Sequence, residues 1–127
     1  MLEQRFRLNQ LMEGFYQKLW NMLIMYKICF FVPVDCCERV KQALFDAGAG
    51  RIGQYDCCSW QCSGQGQFRA LSGSQPFIGQ HNQLETVEEF KVELVCDHEH
   101  INAAIIALKT SHPYEEPAYE VYKLEDF

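Results

Sequence analysis

The stretch YKICFFVPV, residues 26–34, decides how the rest of the chain is arranged. It is a run of β-branched and aromatic side chains with two interruptions, which is typical of a strand covered on both faces. The two alternating sets are Ile28, Phe30 and Val32 on one face and Cys29 and Phe31 on the other. We therefore expect a strand whose second face needs a cover, and a closed ring of three or more subunits would supply one.

A helix is predicted immediately after this strand, over residues 35–47. Asp35 is expected to accept hydrogen bonds from the first turn, and apolar residues then recur at three- and four-residue spacing. Gly48 and Gly50 supply the positive φ that ends the helix.

Further strands and a second helix follow. Residues 55–61 and 67–71 have strand composition and are joined by the turn-forming sequence SGQG, so they predict either a hairpin or one long bent strand. Residues 90–96 alternate cleanly and predict another strand. Asp97 is expected to cap the second helix, which Pro113 ends, and residues 119–124 form the last strand.

The resulting order is β-α-β-β-α-β, which predicts an α+β fold, a ferredoxin-like sandwich with a decorated β-hairpin. Right-handed crossovers place both helices on one face of an antiparallel sheet. Residues 1–24 read as an amphipathic helical extension, because apolar side chains recur at helical spacing, and residues 25–127 form the domain. Packing of the extension against the domain or a partner subunit is favoured over membrane anchoring, since it carries only three basic residues.

Charge and composition narrow the classes of function. The formal net charge is −6, and Lys and Arg are scattered singly, so we expect no nucleic-acid partner. The sequence lacks a run of about 18 apolar residues and a secretory signal at its start, which favours a cytoplasmic protein without membrane contact. The odd number of cysteines, seven, then predicts reduced thiols and no intramolecular disulfide.

The sequence HPYEEP, residues 112–117, is the most specific local motif. Its two prolines fix φ on either side of Tyr114, Glu115 and Glu116 and predict a rigid, extended exit from the second helix. Two interpretations stay open, a turn that aims the last strand or a ligand contact. His98 and His100 lie two residues apart at a helix start, cannot chelate one ion together, and are predicted to be solvated.

At this motif the chain resembles a known family. The segments HPYEEPAYEVY (112–122), GAGRIGQYDCCSW (48–60) and VEEFKVE (87–93) are similar to the inserted domain of YqfO-type members of the Nif-three family, over residues 25–127. The full-length family resembles a dinuclear metal protein sometimes named a GTP cyclohydrolase of the second type, and its metal-binding halves have no counterpart in this chain. The insert in turn resembles CutA and the PII signalling proteins. That resemblance implies a trimer with a small-molecule or metal-ion site between subunits.

Together these observations predict a non-enzymatic, homo-oligomeric Nif-three/YqfO-like module that binds a small ligand or a divalent ion, or a partner protein, and regulates. No cofactor is expected to be required. A metal-dependent hydrolase of the Nif-three family and a structural scaffold are the alternatives. The predicted site joins His112, Tyr114, Glu115 and Glu116 to two residues of a neighbouring subunit, Trp60 and Cys58. His112 and Glu115 are the predicted metal ligands, with Zn²⁺ or Cu²⁺ the ions that imidazole and carboxylate together suit.

Overall fold

The computed structural model describes the backbone of residues 1–127 and the side chains of all residues but 21 and 22. Its elements are, in chain order, helix α1 (Leu2–Leu23), strand β1 (Met25–Pro33), a 3-10 turn (Val34–Cys36), helix α2 (Cys37–Asp46), strand β2 (Trp60–Arg69), strand β3 (Leu84–Asp97), helix α3 (Ile101–Ser111) and strand β4 (Tyr119–Leu124). Helix α1 ends at Leu23 and β1 begins at Met25.

The four strands form one antiparallel sheet in the order β2-β3-β1-β4, with β1 in the interior. Helices α2 and α3 pack against each other and against the sheet. This is the ferredoxin-like arrangement, so the predicted α+β fold is confirmed.

The hydrophobic core lies between the two helices and one face of the sheet. Ile28, Phe30 and Val32 of β1 are completely buried there. They pack with Val40 and Leu44 of α2 and with apolar side chains of α3. Gly48 ends α2 with a φ of 105°, as predicted, and a side chain at that position would also collide with the ring of His100.

We expected the second face of the sheet to need a partner subunit to cover it, but side chains of the same chain cover part of it. Cys29 on this face is only 1% exposed within a single chain. The strand register places it beside Glu93 and Glu120, and Lys27 Nζ lies 3.9 Å from Glu93 Oε1. Long charged side chains can bury their stems over an apolar neighbour. The burial of β1 is therefore no argument for an oligomer.

The predicted hairpin between residues 55–61 and 67–71 does not form. The alternative of one long strand is correct, although this strand begins at Trp60 rather than at residue 55. β2 continues through the SGQG sequence and pairs with β3 from Trp60 opposite Glu93 to Arg69 opposite Leu84. Because Gly66 has no side chain, the carboxylate of Glu89 can lie against it. β3 also begins at Leu84, earlier than the alternation at residue 90 indicated.

Two predicted helix caps are wrong. Asp35 lies in the 3-10 turn, and Cys36 precedes α2 without a side-chain capping bond. Asp97 Oδ1 accepts hydrogen bonds from the backbone N–H (2.9 Å) and ring Nδ1 (2.7 Å) of His100, so it stabilises the turn before α3 rather than the helix itself. The predicted solvation of His98 is also wrong, because its Nδ1 lies 3.0 Å from the Tyr26 hydroxyl and the two rings stack.

Helix α1 is exposed along its described length. Four of its large apolar side chains are each more than half exposed, namely Phe6, Leu11, Phe15 and Trp20. No helix in the described part of the chain is long and apolar enough to cross a membrane.

Candidate functional site

The segment 112–118 connects α3 to β4, and it is fixed to one residue of β1 at both ends. The ring Nε2 of His112 lies 2.7 Å from the carbonyl oxygen of Phe31. The backbone N–H of Phe31 in turn donates to the carbonyl oxygen of Ala118 at 3.3 Å. With Pro113 and Pro117 restricting φ in between, the segment is held rigidly over the end of β1.

His112 is a structural residue of this segment. It is only 6% exposed, and both ring nitrogens have partners within the chain. Nε2 donates to the Phe31 carbonyl, whereas Nδ1 accepts the backbone N–H of Tyr114 at 3.1 Å. These bonds define a neutral ring protonated on Nε2. Burial lowers the pKa of His112 below its ordinary value, which also favours the neutral form.

Tyr114 connects the segment to the sheet. Its hydroxyl donates to Glu89 Oε2 at 2.9 Å. The centre of its ring lies 6.0 Å from that of Phe68 and 6.5 Å from that of Phe77. Burial, together with the hydrogen bond to the Glu89 carboxylate, raises the pKa of Tyr114, so the phenol stays protonated and remains a donor.

Glu115 connects the segment to the loop between β2 and β3, residues 70–83. Its Oε2 accepts the backbone N–H of Gln75 at 3.0 Å. The loop is closed on itself as well, since the N–H of Asn82 donates to the carbonyl of Ala70 at 2.6 Å. Two segments distant in sequence are thus joined by a side-chain hydrogen bond.

A cavity of about 280 Å³ lies where the 112–118 segment, this loop and the sheet meet. Its apolar lining includes Phe31, Phe68, Phe77, Ile78 and the ring of Tyr114. Its charged lining consists of Glu89, Glu115 and Glu116. Among the described residues, no Lys, Arg or His lines the cavity. The cavity therefore carries excess negative charge.

The structure brings together only part of the predicted site. Tyr114, Glu115 and Glu116 line the cavity, whereas His112 lies behind it and holds the backbone. Trp60 begins β2, far along the strand from Phe68, and is 60% exposed. Cys58 precedes the strand and contacts the carbonyl of Asp56 at 3.5 Å. Neither residue joins this cavity within the chain.

Three important residues were missed, namely Phe68, Phe77 and Glu89. The acidic strand VEEFKVE did contain a signal, because adjacent Glu88 and Glu89 must point to opposite faces. The sequence alone does not show whether Glu88 or Glu89 points toward Tyr114.

The predicted metal pair is at odds with this geometry. His112 would have to give up one of its two hydrogen bonds to coordinate an ion. Among the described residues, no group of three or more His, Cys, Asp or Glu side chains is placed to hold a metal. The remaining cavity donors are carboxylates, which without nitrogen or sulfur ligands do not favour Zn²⁺ or Cu²⁺.

Comparison with known proteins identifies relatives, although no family model matches the chain. It is 44% identical over 100 residues to the GTP cyclohydrolase 1 type 2 homolog of Halalkalibacterium halodurans, covering 79% of the chain and 27% of that protein. The Bacillus subtilis protein of the same name is 43% identical over 99 residues, covering 78% and 26%. A solved Bacillus cereus protein related to NIF3 superposes with a TM-score of 0.69 at 42% identity, covering 81% of this chain and 26% of that one. The matched segment of this chain is therefore similar to one part of these longer proteins.

The fold of this segment also occurs in shorter proteins. CutA from Xylella fastidiosa superposes with a TM-score of 0.58 at 22% identity, covering 81% of this chain and 86% of that one. The Bacillus subtilis GlnK–ATP complex gives 0.54 at 14% identity, with coverage of 80% and 82%. At these identities the likeness concerns the fold alone. The chain spans about a quarter of the length of the NIF3-family proteins that it matches.

Proposed function

We propose that the chain is a non-enzymatic regulatory module that binds a small ligand in the cavity beside Tyr114. The observation that carries this proposal is the way the cavity is built. Rigid backbone on one side and a hydrogen-bonded loop on the other hold aromatic rings and carboxylates around one space. A mostly apolar concavity with a few fixed polar groups is the usual form of a small-molecule site.

A regulatory output follows from the same contacts. A ligand in the cavity lies against Glu115 and Tyr114, whose bonds to Gln75 and Glu89 connect the loop, the 112–118 segment and β3. Occupancy would therefore shift the equilibrium between tighter and looser arrangements of these segments. A partner protein that contacts the loop could sense that shift.

The alternative of an enzyme lacks support in the cavity. The Ser74 hydroxyl donates to the carbonyl of Leu71 at 2.6 Å, and the ring of His81 contacts the backbone carbonyl of Ser74 rather than its hydroxyl. An activated nucleophile needs a base within hydrogen-bonding reach. The carboxylate lining also disfavours a nucleoside triphosphate, whose phosphates need basic side chains or free backbone N–H groups.

Assembly into a homo-oligomer forms part of the proposal. Trp60 and Tyr122 lie on the helix-free face of the sheet and are 60% and 50% exposed. β2 is an edge strand of ten residues, and its outer backbone groups are available for pairing. Both features suit contacts with a second copy of the chain. Light scattering would report the number of subunits in the resulting oligomer.

The test of the binding site is a cavity-blocking variant. Ala118 lines the cavity with an exposed side chain, so Ala118→Trp should fill the space without disturbing the core. Calorimetric titration with a panel of cationic, neutral and anionic small molecules should find at least one ligand that binds wild type and fails to bind the variant. Ala103→Trp, at an exposed position of α3, is the matched control and should bind normally. Equal binding by both variants would show that the cavity is not the site.

A further inference from the structure

We infer that the ligand of this cavity is a small organic cation, an amine with an apolar body. This inference rests on the proposed function and specifies its ligand class. It combines three properties of the cavity, namely its charge, its aromatic lining and its size.

The charge of the cavity is uncompensated. Glu89, Glu115 and Glu116 line it, and the only hydrogen bonds found for them within the described residues come from neutral donors, the Tyr114 hydroxyl and the Gln75 N–H. The ion pairs of the described chain involve other acidic groups. A bound cation would be the first positive charge among these carboxylates, and partial removal from water would strengthen its attraction to them.

The aromatic lining distinguishes an organic cation from a metal ion. The Tyr114 ring lies within 6.5 Å of Phe68 and Phe77, and Phe31 completes the apolar surface. An ammonium group attached to an apolar body can contact ring faces by cation–π attraction while its body displaces water. A hydrated divalent ion would leave these rings exposed to water and would need carboxylates converging on one point, whereas Glu89 and Glu115 are turned toward separate partners.

The volume sets the scale of the ligand. The cavity of about 280 Å³ lies just below the range for small-molecule sites, which runs from about 300 to 1,000 Å³. A single-ring amine is therefore of suitable size, whereas a nucleotide is too large. The phenol of Tyr114 and the free oxygens of the three carboxylates then provide acceptors for the N–H groups.

The experiment compares three probes that share one apolar body, phenethylammonium, phenethyl alcohol and phenylacetate. In calorimetric titrations of the full chain at neutral pH, phenethylammonium should bind at least about tenfold more tightly than the alcohol, and phenylacetate should bind most weakly. Raising the salt concentration should weaken phenethylammonium binding and leave the alcohol unchanged. Equal affinity for the cation and the alcohol, or tighter binding of phenylacetate, would overturn the inference.

Neutralising variants locate the charge that matters. Glu116→Gln and Glu89→Gln should each weaken phenethylammonium binding by about three- to tenfold, with no change for phenethyl alcohol. Glu88→Gln is the matched control, because Glu88 adjoins Glu89 on β3 but points to the opposite face. A loss of affinity equal to that of the control would refute the role of the cavity carboxylates.

The outcomes also separate this inference from the proposed function. Binding of phenethyl alcohol or phenylacetate that Ala118→Trp abolishes, without preference for the cation, would leave a ligand cavity and overturn only the cationic class. Absence of binding by every small molecule of the panel would overturn both.

Discussion

Replacement of His112 by Ala tests the rigid frame on which the cavity depends. The variant loses the bond from Nε2 to the Phe31 carbonyl and the bond from the Tyr114 N–H to Nδ1, which measure 2.7 and 3.1 Å. Each loss leaves a backbone group unpaired in a partly buried place, at a cost of about 1–3 kcal/mol. We expect the free energy of unfolding to fall by about 2–4 kcal/mol, which a domain of this size can tolerate while remaining folded.

Urea unfolding at one fixed protein concentration measures this loss, and the midpoint should move down by about 1–2 M. Two partial replacements divide the effect between the bonds. His112→Asn retains an acceptor near Nδ1, and His112→Gln retains a donor near Nε2, so each should lose about half as much as Ala. His81→Ala, which removes an exposed loop histidine, is the control and should change the midpoint little. A His112→Ala variant within about 0.5 kcal/mol of wild type would refute the structural role of this ring.

Three further predictions concern pH, the first helix and the thiols. Since burial lowers the pKa of His112, its contribution to stability is complete above the ordinary value of 6.5 and is lost as the pH falls below it, by at most about 1.4 kcal/mol per pH unit. The urea midpoint of His112→Gln should therefore fall less with decreasing pH than that of wild type. Midpoints of the two proteins that change in parallel with pH would contradict this role of His112. Deleting residues 1–24, whose described side chains are exposed through most of α1, should leave a cooperative thermal transition by circular dichroism; aggregation would show that the helix completes the fold. Under native conditions exposed Cys57 should alkylate quickly, whereas Cys96, whose pKa burial raises to about 11, should react slowly. Denaturation without reductant should then expose seven reactive thiols, and a smaller number would reveal a disulfide.

The fold was predictable because hydrophobic alternation reports which face of an element is buried. The run around Phe30 identified a buried strand, and Gly48 identified the end of the following helix. The predicted hairpin failed because Gly64 and Gly66 have turn propensity on their own but lie in the middle of a paired strand. Pairing with β3 overrides that local preference, and this pairing cannot be inferred from the sequence of β2 alone.

The site was only partly predictable, since its contacts join residues far apart in the chain. The HPYEEP motif pointed to Tyr114 and Glu115 as polar groups on a rigid backbone, and both line the cavity. Their partners Glu89 and Gln75 lie 25 and 40 residues away and follow from tertiary packing. His112 was predicted to be a ligand because it stands beside Pro113 in the rigid motif and because the motif resembles that of CutA, whereas the fold buries its ring against β1.

The most direct test of the account is a chemical-shift titration of ¹⁵N-labelled protein with phenethylammonium. The cavity beside Tyr114 predicts saturable shifts centred on the backbone amides of Tyr114 and Gln75, both of which donate hydrogen bonds at the cavity wall. The amides of Cys58 and Trp60, which lie outside the cavity, should move little. Shifts centred on Cys58 and Trp60, or no saturable shift at Tyr114 and Gln75, would contradict the account.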